Sequence, residues 1–416
     1  MTITTLGALI GLTTAILLIF KKVNPAYAMI LGAIVGGLVG GVGITDTINI
    51  VINGAESIVP AVLRVLTAGI FAGVLIETKA ADKIADTIIS TLGERKAVMA
   101  IILATCVICA VGVVIPVSII TVAPVALLIG EKAGISKASV LLAMLGGGKA
   151  GNIMSPNPNA IAISESFHVD VSLMMINGII PALFGIIITY FVAQKLVDKG
   201  EKIGSHEISN EDVQLPEFKR AIVGPISVIA MLAISTVFKL HLDPLIILPV
   251  GGLITAIVLG EVKNFKYYMT CGLNRMTGAA ILLLSTGTIA GVVSNSSLSS
   301  DIISLINGFG ISGVLLASIS GILMGGATAS ITGGAVVTSK VFSGPILDMG
   351  VGPISAAEMV HTGVSVIDDL PHGNLFHISA QSVSVNIKQR SKLIPYEILI
   401  GLTMNIIATA LYGYVF

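Results

Sequence analysis

Two stretches gather polar side chains inside an otherwise apolar chain. The first reads Gly146-Gly-Gly-Lys149-Ala-Gly-Asn152-Ile-Met-Ser155-Pro156-Asn157-Pro158-Asn159. The second reads His361-Thr-Gly-Val-Ser365-Val-Ile-Asp368-Asp369-Leu-Pro371-His372-Gly373-Asn374. Glycine and proline interrupt a helix and free backbone N–H and C=O groups. Freed N–H groups at a helix N-terminus attract anions, and freed carbonyls attract cations. The chemistry these residue types suit is reversible binding of a small charged ligand. Lys149, Asn152, Ser155, Asn157, Asn159 and Asn374 are the candidate ligand contacts. Asp368 and Asp369, then His372 and His361, are the candidate sites for exchanging a proton or another cation. The plain alternative is a pair of kinks with no ligand. Against it, a charge at the centre of a membrane span costs about 2.5–3.5 kcal/mol on insertion scales, so charges kept there tend to be functional.

A second pair of breaks lies at Val114-Ile-Pro116-Val-Ser118 and Gly325-Gly-Ala-Thr-Ala-Ser330. Ser118 and Thr121 mark one tip; Thr328, Ser330 and Thr332 mark the other. Hydroxyls and exposed amides at two facing tips suit a carboxylate or a hydroxylated ligand. The bland reading is that small residues merely let the chain turn.

Other chemistries find less support. Gly146-Gly-Gly-Lys149 lacks the first glycine of a phosphate loop, at Ala143, and its Ser/Thr, at Ala150. Cys106 and Cys109 read C-x-x-C without a soluble βαβ context, which favours small apolar helix residues. No metal-ligand spacing, nucleophile elbow or general-base motif is present, so neither a metal nor another cofactor is expected. Arg64, near the end of a span, is expected to snorkel to water. Glu165 and His168 sit near a span end, where a rim role and a coupling role are equally open. Gly36 and Gly40 suit helix packing.

The elements that position these residues belong to a membrane protein. Hydrophobic residues make up 54% and charged residues 11% of the 416, with a mean hydropathy of +0.99. A soluble globular chain carries about 25% charged residues. Net charge is zero, which gives nucleic acid no electrostatic footprint. Residues 3–20 end at Lys21-Lys22, the reverse of a signal peptide's order, and read as a retained first span. Of the 23 Lys and Arg, Arg64, Lys149 and Lys340 fall inside spans and Lys239 in a loop on one side. The other 19, Arg390 and Lys137 among them, fall in loops on the opposite side once the N-terminus is placed outside. That asymmetry orients a polytopic protein in the cytoplasmic membrane, N-out and C-out.

The chain also repeats. Asn24-Pro25 recurs as Asp243-Pro244 at an offset of 243 − 24 = 219, and Gly69-Ile-Phe-Ala-Gly73-Val as Gly287-Thr-Ile-Ala-Gly291-Val at 287 − 69 = 218. Between the copies, 10 of the 23 residues from Asp198 to Arg220 are charged, which reads as a cytoplasmic linker. The expectation is an all-α polytopic fold with a first repeat at 1–197 and a second at 221–416. The first has spans near 3–20, 26–42, 59–76 and 172–197, an interfacial stretch Ala80–Gly93, and a helix broken at Gly146–Asn159. Basic residues flank Val98–Ile129 on both sides, so it should enter and leave by one face as a re-entrant hairpin. Gly313–Ile346 matches it in the second repeat. Five crossings per repeat make the two inverted, an architecture used by transporters.

At Gly69–Pro124, Gly325–Ser330 and Asp368-Asp-Leu-Pro-His-Gly-Asn374 the chain resembles the gluconate permease (GntP) family of the ion transporter superfamily. The resemblance covers nearly the whole chain, and Leu370-Pro371-His372 is similar to the hydroxybutyrate permease branch. It implies carboxylate symporters, typically proton-coupled, for gluconate, related sugar acids or short hydroxy acids. It further implies a homodimer, a scaffold from the early spans of each repeat, and an elevator-like transport domain from hairpins and broken helices. One departure stands out: where gluconate-type members carry a Pro-Pro-His-Pro-Gly-Pro-like run, this chain reads Ser155-Pro-Asn-Pro-Asn-Ala160. The function implied is a secondary active transporter importing a small hydroxylated carboxylate by cation symport. A sodium-coupled carrier using unwound carbonyls with Ser155 and Asn159 is the first alternative. A channel and an intramembrane enzyme using His372 and Asp368 are weaker ones.

Overall fold

The computed structural model describes residues 2–21, 23–204, 214–238, 240, 242–298, 301, 312–371 and 373–415. His372, Lys22, Lys239 and the middle of the polar 198–220 stretch lie outside the described residues. Among the described residues the chain is helical, with two isolated bridges and no strand. Its first part runs α1 (Thr5–Phe20), α2 (Pro25–Val39), α3 (Ile44–Glu56), α4 (Val59–Glu77), α5 (Ala80–Leu92), α6 (Ala97–Ala110), α7 (Ile115–Lys132), α8 (Lys137–Ile153), α9 (Pro158–Phe167), α10 (Val171–Asn177) and α11 (Ile179–Leu196). Next come α12 (Phe218–Ala221), α13 (Val223–Val237), α14 (Pro244–Leu259) and α15 (Phe265–Ser294). The remainder is α16 (Gly313–Thr328), α17 (Ile331–Asp348), α18 (Pro353–Val364), α19 (Asn374–Ser382), α20 (Ile387–Ser391) and α21 (Ile394–Ala410).

The repeated dipeptides are helix starts. Asn24 and Asp243 each cap a helix through the side chain, and Pro25 and Pro244 fill the first helical position. The repeated glycines are close approaches. A Cβ added at Gly73 would stand 2.6 Å from Gly272 Cα, and one at Gly54 would stand 2.8 Å from Gly291 Cα. Gly69 likewise meets Gly272, and Gly287 meets Gly54. These pairs keep the sequence offset, since 287 − 69 = 218 and 272 − 54 = 218. Such small-residue contacts replace a hydrophobic driving force that lipid cannot supply between helices. They seat the 30-residue α15 against both α3 and α4.

The expected spans correspond to α1, α2, α4 and the α10–α11 pair, and the interfacial stretch to α5. The amphipathic α3 has no counterpart among the expected elements. The two hairpins are α6–α7, turning at Val111–Val114, and α16–α17, turning at Ala329–Ser330. One expectation needs correction. The break at Gly146–Asn159 is far shorter, because α8 stays helical to Ile153 and only Met154–Asn157 is unwound. Gly146 packs on Thr189, Gly147 on Ile102, and a Cβ at Gly151 would reach 2.8 Å from Cys109 Cβ. These glycines let α8 approach α6 and α11 closely; they do not unwind it.

Six helical stretches of the described residues are long and apolar enough to cross a membrane, and Leu17, Leu31, Phe191 and Ile226 are exposed on outer faces. The helices pack in two groups. Helices α1–α4 pack with α13–α15, and α6–α9 with α11 and α16–α21. The groups meet chiefly where α4 touches α9 and α15 touches α17.

Candidate functional site

The ends of two interrupted helices meet inside the second group. Lys149 lies near the end of α8, and Asp368 and Asp369 lie in the unwound link between α18 and α19. Lys149 Nζ stands 2.5 Å from Asp368 Oδ1, 2.8 Å from the Ser365 carbonyl and 3.6 Å from Asp369 Oδ2. The link is held beside α21 by glycine: a Cβ on Gly401 would stand 2.6 Å from Val366 Cα. One turn earlier on α21 is Glu397, which pairs with both terminal nitrogens of Arg390 from α20. Arg390 Nε also donates to Ser379 Oγ at 2.8 Å, and its guanidinium lies 4.8 Å above the Phe376 ring. Asp369 Oδ2 sits between the two cations, 3.6 Å from Lys149 and 4.0 Å from Arg390. All five side chains are at most 2% exposed.

Two cations thus face three carboxyl groups. Asp369 and Glu397 come within hydrogen-bonding reach of each other. Two carboxylates can only accept, so that approach becomes a hydrogen bond when one of them holds a proton. No donor reaches either Asp369 oxygen or Asp368 Oδ2. With one proton added the cluster is neutral. Without it, a net negative charge is left in surroundings that solvate charge poorly.

Next to Lys149 lies an amide cluster. Asn157 Oδ1 accepts the backbone N–H of Asn159 and Ala160, capping α9. That fixes its amide group toward Asn152, where Nδ2 donates to the Asn152 carbonyl at 2.6 Å and to Asn152 Oδ1 at 2.8 Å. Asn159 Nδ2 also donates to Asn152 Oδ1, at 3.0 Å, while Asn159 Oδ1 accepts the Thr332 hydroxyl from the tip of α17. The orientation of each amide follows from the two backbone amides at the start of the chain of bonds. What remains unpartnered is Asn152 Nδ2 and the Ser155 hydroxyl, both buried. These are donors beside a helix N-terminus, which is what an anionic or hydroxylated ligand needs.

The hairpin hydroxyls are otherwise engaged. Ser118 contacts Cys109 and the Val113 and Val114 carbonyls; Thr328 donates to the Met324 and Ser330 carbonyls; Ser330 caps α17. They hold their own turns. Asn374 opens α19 with an exposed side chain, away from the amide cluster's hydrogen bonds. His361 is buried on α18 with neither ring nitrogen partnered, and is no member of the Lys149 cluster. Cys106 and Cys109 are free and buried.

Three further expectations change. Arg390 is wholly buried in an ion pair, not a loop cation, because Phe376, Ser379 and Glu397 enclose it. Lys137 is likewise buried and paired with Glu201. Arg64 does not rely on water. It binds Glu165 of α9 and, at 2.8–3.1 Å, the Asp243 carboxylate at the start of α14. Burial alone would raise the Asp243 carboxyl, but hydrogen bonds from Arg64 and the Leu245 amide hold it below the usual carboxylate range. Arg64, Glu165, His168 and Asp243 line a cavity of about 340 Å³.

A family model for GntP family permeases matches residues 3–369, a region that contains Lys149, the amide cluster and both aspartates. The chain belongs to the GntP permease family. A protein from Haemophilus influenzae described as an uncharacterized transporter is 49% identical over 99% of both chains. The Gnt-II system L-idonate transporter of Escherichia coli is 24% identical over 55% of this chain and 53% of its own. A gluconate permease of Zymomonas mobilis is 21% identical over 76% of each. Among solved structures the YdaH transporter of Alcanivorax borkumensis superposes with a TM-score of 0.69, covering 87% of both chains at 12% identity, which speaks to the fold alone. The permease is an integral membrane transport protein and not an enzyme.

Proposed function

We propose that this permease is a secondary active transporter that imports a small hydroxylated carboxylate across the cytoplasmic membrane together with a proton. The observation that carries the reading is the juxtaposition of two features in one buried place. Unpartnered donors, Asn152 Nδ2 in the last turn of α8 and Ser155 Oγ in the link that follows, stand at the α8–α9 break. Lys149, three residues before Asn152, ties that break to a cluster whose charge balances only with an added proton. The relatives described as an L-idonate transporter and a gluconate permease support a sugar acid as substrate. Of the side-chain oxygens in the sodium alternative, Asn159 Oδ1 already accepts a hydrogen bond from the Thr332 hydroxyl.

The test is uptake by proteoliposomes of labelled gluconate, L-idonate and short hydroxy acids under an inward proton or an inward sodium gradient. Accumulation of one of these acids driven by protons is the expected result. Accumulation driven only by sodium removes the proton from the reading. Absence of accumulation under both gradients removes this substrate class.

The same reading gives Arg64 a role. In an elevator cycle the group containing α9 slides along the group containing α4 and α14. The Arg64–Glu165 pair then has to part while Arg64–Asp243 stays. A partly exposed pair of this kind is worth about 1 kcal/mol, or about fivefold in a population. Glu165→Gln should therefore speed substrate exchange about fivefold, and an unchanged rate would deny the pair this part. Because folding lowers the Asp243 carboxyl, its bond to Arg64 is fully present above the ordinary carboxylate range and is lost as pH falls through the lowered value.

A further inference from the structure

One pair of buried titratable groups takes no part in the Lys149 cluster. Glu358 and His361 lie on α18, are 0% exposed, and stand three residues apart on one face of the helix. Neither Glu358 oxygen has a hydrogen-bond partner, and neither His361 nitrogen has one. An ionised carboxylate without partner or counter-charge is among the most unfavourable groups a protein interior can hold. The stripe continues along α18 to Ser365, whose carbonyl binds Lys149, and so leads to Asp368. Glu358, His361 and Ser365 are spaced i, i+3 and i+7, and span about 10 Å at 1.5 Å per residue.

Helix α18 packs against α9, α10, α16, α17, α21 and the final turn Leu411–Val415. The titratable groups on those elements are Glu165, Lys340, Asp348, Tyr396, Glu397, Tyr412 and Tyr414. Tyr412 interacts electrostatically with Glu358, and its hydroxyl donates to the Asn177 carbonyl. No described cation balances Glu358.

From this geometry we propose that Glu358 is a second proton-binding site of the transport cycle, separate from the Asp369–Glu397 centre, with His361 as the next group on its way to Asp368. The proposal rests on the transporter reading and adds to it a site outside both interrupted helix ends. Protonated, Glu358 is a neutral acid suited to its enclosure. Its O–H bond breaks when the cycle wets that face of α18, and the proton passes to water or to a His361 nitrogen. Two proton sites per copy also predict a higher proton-to-substrate ratio than the Asp369 centre alone would set.

The experiment uses the full chain in lipid nanodiscs, followed by infrared spectroscopy across a pH titration, with no substrate needed. The expected result is a protonated-carboxyl band that fades as pH rises, is missing from Glu358→Gln, persists in Glu358→Asp and is shifted in His361→Gln. If every protonated-carboxyl band of the wild type survives in Glu358→Gln, the Asp369–Glu397 centre alone accounts for them and the proposal is overturned. So does a Glu358 band that does not respond to pH in folded protein, since that acid would be structural. In proteoliposomes that accumulate gluconate, the ratio of protons to gluconate taken up, read with a trapped pH dye, should fall in Glu358→Gln. An equal ratio in both proteins also overturns it. Gluconate failing to accumulate in wild type bears on the substrate reading, and the infrared titration still decides Glu358.

Discussion

Lys149→Met should lower the stability of the permease by about 3–5 kcal/mol, the range for removing one partner of a buried ion pair. The methionine fills similar volume, so the loss is electrostatic: three carboxyl groups are left with Arg390 as their only cation. The double variant Lys149→Met/Asp368→Asn should recover most of the loss. It leaves one cation and two carboxyl groups, the same excess of one as in the native cluster. A double-mutant cycle isolates this pair because the 2.5 Å contact is direct. The measurement suits this chain, which has no tryptophan but has free, buried Cys106 and Cys109. A thiol-reactive dye reports their exposure as detergent-solubilised protein is heated. If Lys149→Met melts like wild type, the lysine is not compensating a buried charge. If the double variant melts no higher than the single one, the partner is not Asp368.

Much of the fold was legible because membrane helices leave few choices. Apolar runs, the Asn-Pro and Asp-Pro helix starts and the paired glycines each report backbone physics that operates locally. The glycines of α8 misled for a physical reason. In water, Gly146-Gly-Gly would weaken a helix, but here close packing on Thr189 and Ile102 repays the loss. The site was half legible. Lys149 and the aspartates stood out as charges in apolar sequence, while their direct contact across 219 residues did not. Arg390 was hidden by its neighbours, since Lys388 and Lys392 make it look like one more loop cation. Glu397 and Glu358 did leave a signal. Each is a lone acid in an apolar helix, the same criterion that picked out Asp368, applied to helices without a break.

Asp369→Asn should fold normally and lose proton-driven accumulation while keeping substrate exchange. The cluster contains two close pairs, Lys149–Asp368 and Arg390–Glu397, and Asp369 is the carboxyl left over. It lies 3.6 and 4.0 Å from the two cations, too far for a hydrogen bond to either. An asparagine there mimics the protonated cluster: two cations, two carboxylates, no net charge and nothing to release. Exchange needs only substrate to ride both ways, so it survives. Net accumulation needs a proton to be bound on one side and lost on the other. One proton moving down a gradient of one pH unit supplies about 1.4 kcal/mol, about tenfold accumulation, and that factor should vanish. Asp368→Asn should also lose coupling, but it strips Lys149 of its nearest partner and should lose stability too. The comparison separates the roles. Loss of accumulation in both variants, with a normal melting temperature only for Asp369→Asn, identifies Asp369 as the carboxyl that cycles. Proton-driven accumulation persisting in Asp369→Asn would move the coupling proton elsewhere, with Glu358 the next carboxyl to test.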